Sequence, residues 1–472
     1  MSDYKRFYID GEWVTPAKPN DFEVINPATE EVCGTVTLGS QADVDRAVNA
    51  ARLAFDTFSK TTVGERVELL ERIMNVYERR INDLADAVRN EMGAPIGLAS
   101  GSQVYAGLGH IAKAVKILKS YQFEERLGEH RVIKEPIGVC GLITPWNWPL
   151  NQITCKVAPA LAVGCTMILK PSEIAPLSAI VFAEILAEAE VPPGVFNLVN
   201  GNGVTAGSVL SAHEDVDMIS FTGSTRAGSL VTQKAAPTIK RVTLGLGGKS
   251  PNLILDDADI GAAVERGVKQ LYLNTGQSCN APSRMLIPRS KLEEAEVIAA
   301  RVTETFVVGD TRDKNTNMGP VVSRLQWDNI QGLIATGINE GAKLVCGGLG
   351  LPEGIDNGYY VRPTIFSNVS NNMIIAQEEI FGPVLTMIPY DTEEEGIRIA
   401  NDTPYGLAAY VESDDINRAR RVALSIRAGS VYLNGEPPDL DLPFGGFKRS
   451  GNGREWGVHG FSEYLEIKSI VG

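Results

Sequence analysis

A cysteine lies in a polar turn, Asn274-Thr-Gly-Gln-Ser-Cys-Asn280, between a helical stretch from Ile260 to Leu273 and an apolar one from Arg284 to Ile287. Loops that join regular elements are where chemistry is carried, so Cys279 is a candidate nucleophile. Taken alone, a cysteine is more often a small buried thiol. The rest of the chain decides between the two. Pro145-Trp-Asn-Trp-Pro149 supplies a second group: two tryptophans and two prolines form a stiff apolar frame around one amide. An amide donor aimed at a developing oxyanion is worth ~10²- to 10³-fold in rate, which makes Asn147 a candidate oxyanion donor.

Three glycine-rich or charged stretches bear on nucleotide binding. Gly223-Ser-Thr-Arg-Ala-Gly228 follows the apolar run Met218 to Phe221 and opens a helix, where backbone N–H groups can meet a pyrophosphate. Gly201-Asn-Gly-Val-Thr-Ala-Gly207 is less well placed, because its last glycine falls one residue late for a dinucleotide fingerprint. A phosphate loop at Gly248-Lys249-Ser250 is excluded, since the glycine required five residues earlier is Thr243. Lys170-Pro-Ser-Glu173 follows a strand-like run, and a carboxylate there can accept both hydroxyls of an adenosine ribose. A solvated Lys/Glu pair at a helix start has the same pattern.

These groups need elements to hold them. Residues 6 to 38 alternate in polarity and predict short strands; Ser40 then opens a helical region that runs to about Leu118, broken at Gly93 and Pro95. After Arg131 the pattern becomes βα alternation, with strands at Gly138 to Thr144, Thr166 to Leu169, Val195 to Val199 and Met218 to Phe221. Helices are expected at Ala175 to Ala189, Gly203 to Leu210 and Ser224 to Ala236. Strands buried on both faces and separated by helices imply a doubly wound parallel sheet, with its ligand at the carboxyl ends of the strands. A second βα series begins near residue 250, and the tail Phe461 to Lys468 alternates again as a strand.

Length and composition narrow the class. With 472 residues the chain predicts two or three domains. Its 58 acidic residues against 44 basic ones, without a basic cluster, argue against a nucleic-acid partner. Six scattered cysteines show no metal spacing and suit a reducing compartment, so no metal site is expected. The longest apolar run, Val157 to Leu169, is too short and too interrupted to span a bilayer, and the chain is expected to be cytoplasmic.

Seven motifs together carry a resemblance that none carries singly. Pro145 to Pro149, Leu169 to Glu173, Phe221 to Ser224, Leu246-Gly-Gly-Lys-Ser-Pro251, Asn274 to Cys279, Gln377-Glu-Glu-Ile-Phe-Gly-Pro383 and Pro443-Phe-Gly-Gly-Phe-Lys-Arg-Ser-Gly451 follow one another along the chain. In order and spacing they resemble the NAD(P)-dependent aldehyde dehydrogenase superfamily from end to end. The resemblance implies two doubly wound α/β domains and a small β oligomerisation element. By position, these are an NAD-binding domain (1–117 and 137–246), a catalytic domain (247–450) and the oligomerisation element (118–136 and 451–472), in a homodimer or homotetramer. It implies that Cys279 attacks the aldehyde while Asn147 and the Cys279 N–H hold the oxyanion. Lys170 and Glu173 would bind the adenosine ribose, Gly223 and Ser224 the pyrophosphate, and Glu379 with Phe381 the nicotinamide ribose and ring, with Thr144 and Trp146 also binding the cofactor. A carboxylate at Glu173 would repel a 2′-phosphate, which favours NAD over NADP. The substrate tunnel would be lined by Trp148, Asn151, Gln152, Cys155 and Phe444, with Asn151 and Gln152 giving it a polar entrance.

The chain departs from the family at one position. Where the family has a general-base glutamate two residues before Gly-Gly-Lys, Thr243-Leu-Gly-Leu-Gly-Gly-Lys-Ser-Pro251 places Gly245. Loss of a positioned base costs ~10²- to 10⁴-fold, so release of a thioester from Cys279 is expected to be slow. Three accounts are open: a deliberate substitution that traps the intermediate; a natural chain in which Glu455, with Lys156 on the proton path, serves instead; or transfer of the acyl group to a thiol such as coenzyme A. A cofactor-binding homologue without turnover is the reading from another class.

Overall fold

A computed structural model describes residues 2–472. The first long helix, Gln41–Phe58, starts where the Asp43 carboxylate accepts both the N–H (2.8 Å) and the hydroxyl (2.7 Å) of Ser40. The next, Val63–Arg79, opens on a reciprocal cap between Thr62 and Glu65, which satisfies N–H groups that the first helical turn leaves unpaired. Ile81–Met92 ends at Gly93, whose φ of 76° suits a residue without a Cβ. The last helix of the region, Val104–Leu118, is entered through a π-turn at Ala99–Gln103.

The first large sheet has eight strands, in the order Gly451–Asn452, Arg241–Leu246, Met218–Gly223, Val139–Ile143, Thr166–Lys170, Phe196–Leu198, Phe7–Ile9 and Glu12–Val14. The five strands from Arg241–Leu246 to Phe196–Leu198 are parallel. Side chains alternate between two apolar clusters, with Cys140, Leu142, Met167 and Leu169 on one face and Val139, Ile143, Ile168 and Ile219 on the other. Both faces are covered, which is why these strands read as continuous apolar runs.

The second sheet runs Lys343–Cys346, Thr364–Ser367, Val384–Tyr390, Arg284–Pro288, Pro251–Ile254, Ala408–Glu412 and Ser430–Leu433. Only its Lys343–Cys346 edge is antiparallel. Its two faces also bury separate clusters. The fold is the expected pair of doubly wound α/β units.

A small antiparallel sheet joins Leu465–Ile470, His130–Pro136 and Glu124–Leu127. The tail corrects one expectation. Gly457–Ser462 is a helix, and only Leu465–Ile470 is extended. Phe461 therefore lies on a helix and packs against Tyr121 (4.7 Å between centroids); the few apolar residues of the tail satisfy either period. The segment 451–472 is also divided, because Gly451–Asn452 pairs with Leu244 and Gly245 in the first sheet. Among the described residues no helix is long and apolar enough to cross a membrane, and no group of three or more His, Cys, Asp or Glu is placed to hold a metal ion.

Candidate active site

In the first sheet the chain adds strands to one side of Val139–Ile143 and then resumes on the other with Met218–Gly223. A ligand crevice is expected at the carboxyl ends of strands where the order reverses. A cleft of about 430 Å³ opens there. Pro145, Trp146 and Asn147 follow the first strand into it; Thr222 and Gly223 end the second, with Ser224 just beyond; Gly245 and Leu246 end the third. The second domain contributes Cys279, Glu379 and Phe381. Sequence-distant candidates are thus brought to one space.

The turn that carries Cys279 has an unusual backbone. Asn274, Thr275 and Gly276 are successively left-handed, with φ of 55°, 57° and 73°. A left-handed residue with a side chain costs ~1–3 kcal/mol and persists only where its surroundings fix it. Gly276 is required outright, since a Cβ there would lie 2.1 Å from the Gly382 carbonyl. Asn274 donates to the carbonyls of Asn147 (2.8 Å) and Gln277 (3.2 Å), and Thr275 donates to the Gly319 carbonyl (3.1 Å). Asn147 itself is buried, and its Nδ2 donates to the Gln277 carbonyl at 3.0 Å. One N–H of that amide is tied to the turn, which leaves the second for the cleft.

Cys279 is half-buried. Burial, then the charges of Glu379 and Glu455, push its thiol up to about 12, against an opposing pull from the N–H groups of Cys279 and Asn280. Glu379 is held by the Gly248 N–H at 3.0 Å, and burial pushes its carboxyl up to about 7. Gly248 is required by the backbone opposite it, and Gly247 by the present position of the Glu379 carboxylate. A Cβ on Gly247 would sit 2.0 Å from a Glu379 oxygen, and one on Gly248 would sit 2.7 Å from the Cys279 carbonyl. Ser450 completes the junction by donating to the Gly247 carbonyl (2.7 Å).

A profile of the aldehyde dehydrogenase family matches residues 13–470. The chain belongs to that family. It is 58% identical, over its full length and 99% of the relative, to a 3-succinoylsemialdehyde-pyridine dehydrogenase from a Pseudomonas species. Aldehyde dehydrogenase C of Pseudomonas syringae, solved as a cysteine-to-alanine mutant in complex with NAD+ and octanal, matches with a TM-score of 0.98 and 54% identity, covering 99% of this chain and 96% of that one. Betaine aldehyde dehydrogenase of Staphylococcus aureus, solved in complex with NAD+, matches at a TM-score of 0.96 and 37% identity over 99% and 94% of the two chains.

The residues of this aldehyde dehydrogenase that face its first sheet can hold a dinucleotide. Ser224 caps the helix Thr225–Ala235, accepting from the Ala227 N–H at 3.2 Å, so the free N–H groups of the first turn lie at the cleft. Lys170 is buried, donates to the carbonyls of Pro171 (2.7 Å) and Gly201 (2.5 Å), and stands 3.7 Å from Glu173. Burial pulls its ammonium down to about 8. Thr144 has a buried hydroxyl without a partner. Trp146 meets Phe381 edge-on at 5.4 Å, forming an aromatic wall of the cleft.

Gly245 lines the cleft beside Cys279 and Thr222. A Cβ at this position would meet Thr222 Oγ1 at 3.2 Å and Glu455 Oε2 at 3.7 Å. The other Glu455 oxygen is paired with the fully buried ammonium of Lys156, which also donates to Thr222 (2.7 Å) and Ser220 (3.3 Å). Phe444 and Glu455 exchange backbone hydrogen bonds of 2.7 Å, which fixes this carboxylate relative to the Pro443–Gly446 turn.

The residues expected along a substrate tunnel lie outside this cleft. Trp148 donates to Ser278 (2.8 Å), one residue before Cys279, and Asn151 is bonded to His110 (2.8 Å). Gln152 and Cys155 are buried on the helix Pro149–Val163, and the Gln152 side-chain oxygen has no partner. Phe444 stacks on Trp456 at 4.5 Å. Sequence reasoning missed Thr222, Gln103 and Gln277. Thr222 carried a signal, being the penultimate residue of a strand that ends at the cleft, and Gln277 lay within the turn already singled out, whereas Gln103 carried none.

Proposed function

We propose that this aldehyde dehydrogenase oxidises an aldehyde to its carboxylic acid with NAD, through a thiohemiacetal and then a thioester on Cys279, and that it releases the acid slowly. The observation that carries this reading is the opening of Cys279, Asn147, Gly245, Glu379 and Ser224 onto one cleft.

The Cys279 thiolate adds to the carbonyl carbon; a C–S bond forms and the carbonyl electron pair moves to oxygen. The free N–H of Asn147 and the Cys279 N–H receive that charge. Bound NAD would supply the hydride acceptor and a positive ring beside the thiol. Water must then attack the thioester carbon and lose a proton as the C–S bond breaks and the Cys279 thiolate leaves, and Gly245 offers no base for that proton. Glu455 is the carboxylate nearest the space a side chain at position 245 would fill, but it is already engaged by Lys156. Deacylation is therefore the slow half of the cycle.

Glu173 beside Lys170 favours NAD over a cofactor with a 2′-phosphate, in line with the NAD+ complexes of the Pseudomonas syringae and Staphylococcus aureus relatives. The substrate class is a small or medium aldehyde, with Trp148, Asn151, Gln152, Cys155 and Phe444 lining a tunnel that approaches Cys279 from outside the cleft; the Pseudomonas syringae relative is complexed with octanal. Residues 1–117 and 137–246 would hold NAD, 247–450 would carry the nucleophile, and the hairpin with the C-terminal strand would join copies in a homodimer or homotetramer. Free thiols suit a cytoplasmic setting.

Mixing the chain with NAD and an aldehyde should yield about one NADH per site followed by slow turnover, with an acyl adduct on Cys279 in the mass spectrum. Fast steady turnover without added thiol would refute slow deacylation. Acceleration by coenzyme A would identify a thiol as the acceptor. Absence of both burst and adduct would leave a non-catalytic homologue.

A further inference from the structure

Gln103 takes no part in the chemistry above, yet it is fully buried where two reacting parts of the site meet. Its Nε2 donates to the backbone carbonyl of Asn147 at 3.2 Å and to Oδ1 of Asn274 at 3.3 Å, and it lies 3.5 Å from the Met92 sulfur. Asn274 bonds that same Asn147 carbonyl, and the Gln277 carbonyl receives both Asn147 Nδ2 and Asn274 Nδ2. Gln277 closes the set, donating to the Asn274 carbonyl (3.1 Å) and accepting from the Val322 N–H (2.9 Å). Four side-chain amides thus tie the end of the first-domain strand to the left-handed turn that carries Cys279.

All three groups at the Nε2 end of Gln103, two oxygens and the Met92 sulfur, are acceptors, so only a donor serves there. Its Oε1 has no partner, and the amide makes its hydrogen bonds through nitrogen alone. The residue is delivered by the π-turn Ala99–Gln103, in which Gly101 leaves helical geometry (φ −104°, ψ −109°). Turns of this kind are rare and concentrate at functional sites.

We infer that Gln103 is a positioning residue that sets the register between the Asn147 amide and the Cys279 turn, so that the oxyanion formed on Cys279 falls against Asn147. The inference rests on the roles proposed above for Cys279 and Asn147. Gln103 lies outside the residues that line the cleft and acts through its two asparagine partners.

Gln103→Met keeps the approximate volume and removes both donated bonds. The rate of the NADH burst should fall about tenfold or more, since a misplacement of ~1 Å can cost ~10²-fold. NAD affinity should stay within about twofold of the parent, because the bonds lost do not reach the dinucleotide side. In a double variant with Asn147→Ala, the Met change should slow the burst no further than Asn147→Ala alone, because the two act as one unit. Gln103→Glu provides a second readout. None of the hydrogen-bond partners of Gln103 is ionisable, and a buried carboxyl there regains a donor when protonated. Its burst rate relative to the parent should therefore rise as pH falls from about 8 to 6. A Met variant with an unchanged burst, losses that multiply in the double variant, or a flat ratio for the Glu variant would each overturn the positioning role. A burst that survives Cys279→Ala would instead overturn the underlying reading.

Discussion

Glu455 occupies the space next to the missing side chain of Gly245: one carboxylate oxygen is 3.7 Å from where a Cβ at that position would lie, and the other is paired with buried Lys156. The site therefore has a carboxylate close to the deacylation position, but one already neutralised by a cation. This pairing separates the two halves of the reaction. In the proposed reaction thiol addition would use Asn147 and Cys279, whereas water activation would need a base, which Gly245 lacks and the paired Glu455 would supply only weakly.

Gly245→Glu should restore steady acid formation, by ~10²- to 10⁴-fold over the parent's slow phase. The backbone at Gly245 is ordinary strand, and the tightest contact of a new Cβ, 3.2 Å to the Thr222 hydroxyl, asks for a shift of a few tenths of an ångström. Steady-state NADH production checks this. An unchanged slow phase in a folded variant would show that the missing base is not what limits release.

Glu455→Gln should leave the burst near one NADH per site and slow the following phase several-fold further. The same change leaves the Lys156 ammonium buried without its counter-charge, so the thermal midpoint should fall as well. Burst amplitude and slow rate from one stopped-flow trace separate these effects. If the slow rate does not move, another group activates the water.

Without NAD, alkylation of Cys279 by iodoacetamide should rise about tenfold per pH unit from pH 6 to 9, with no plateau. Only the thiolate reacts, and burial with Glu379 and Glu455 holds the thiol at about 12, so the thiolate fraction keeps growing across that window. Peptide mass spectrometry follows the site. A plateau near pH 8 would mean that the thiol is not held up in this way.

Glu91 gives a stability prediction away from the chemistry. It is fully buried, accepts from the N–H of Ser178 at 3.1 Å and from that of Leu177, and burial pushes its carboxyl up to about 7. The folded state thus holds a proton that the unfolded chain releases near ~4.3. Its stabilisation is complete below that value and is lost as pH rises towards 7. Glu91→Gln removes the titration, so its thermal midpoint relative to the parent should be higher at pH 8 than at pH 5. A gap that is the same at both values would contradict the shift.

Local chemistry made much of this fold legible. The apolar runs at Val139–Ile143 and Thr166–Lys170, the cap at Ser40 and the stop at Gly93 are readable because each depends on neighbours a few residues away. The tail was misread at Phe461 because a helical turn and a strand with so few apolar residues bury the same side chains. The motifs about Cys279, Asn147, Ser224 and Glu379 pointed to the cleft without showing what surrounds each group.

By itself the sequence determined the family, the βα order and the absence of a carboxylate at position 245, since these are properties of residue types and their spacing. Only the tertiary structure decided that Glu455 stands beside Gly245 while bound to Lys156, and that Gln103 bridges Asn147 and Asn274 across 44 and 171 residues of chain. Burial and hydrogen bonding act through space, so partners this distant along the chain leave no local pattern, and their effect exists only once both domains are packed.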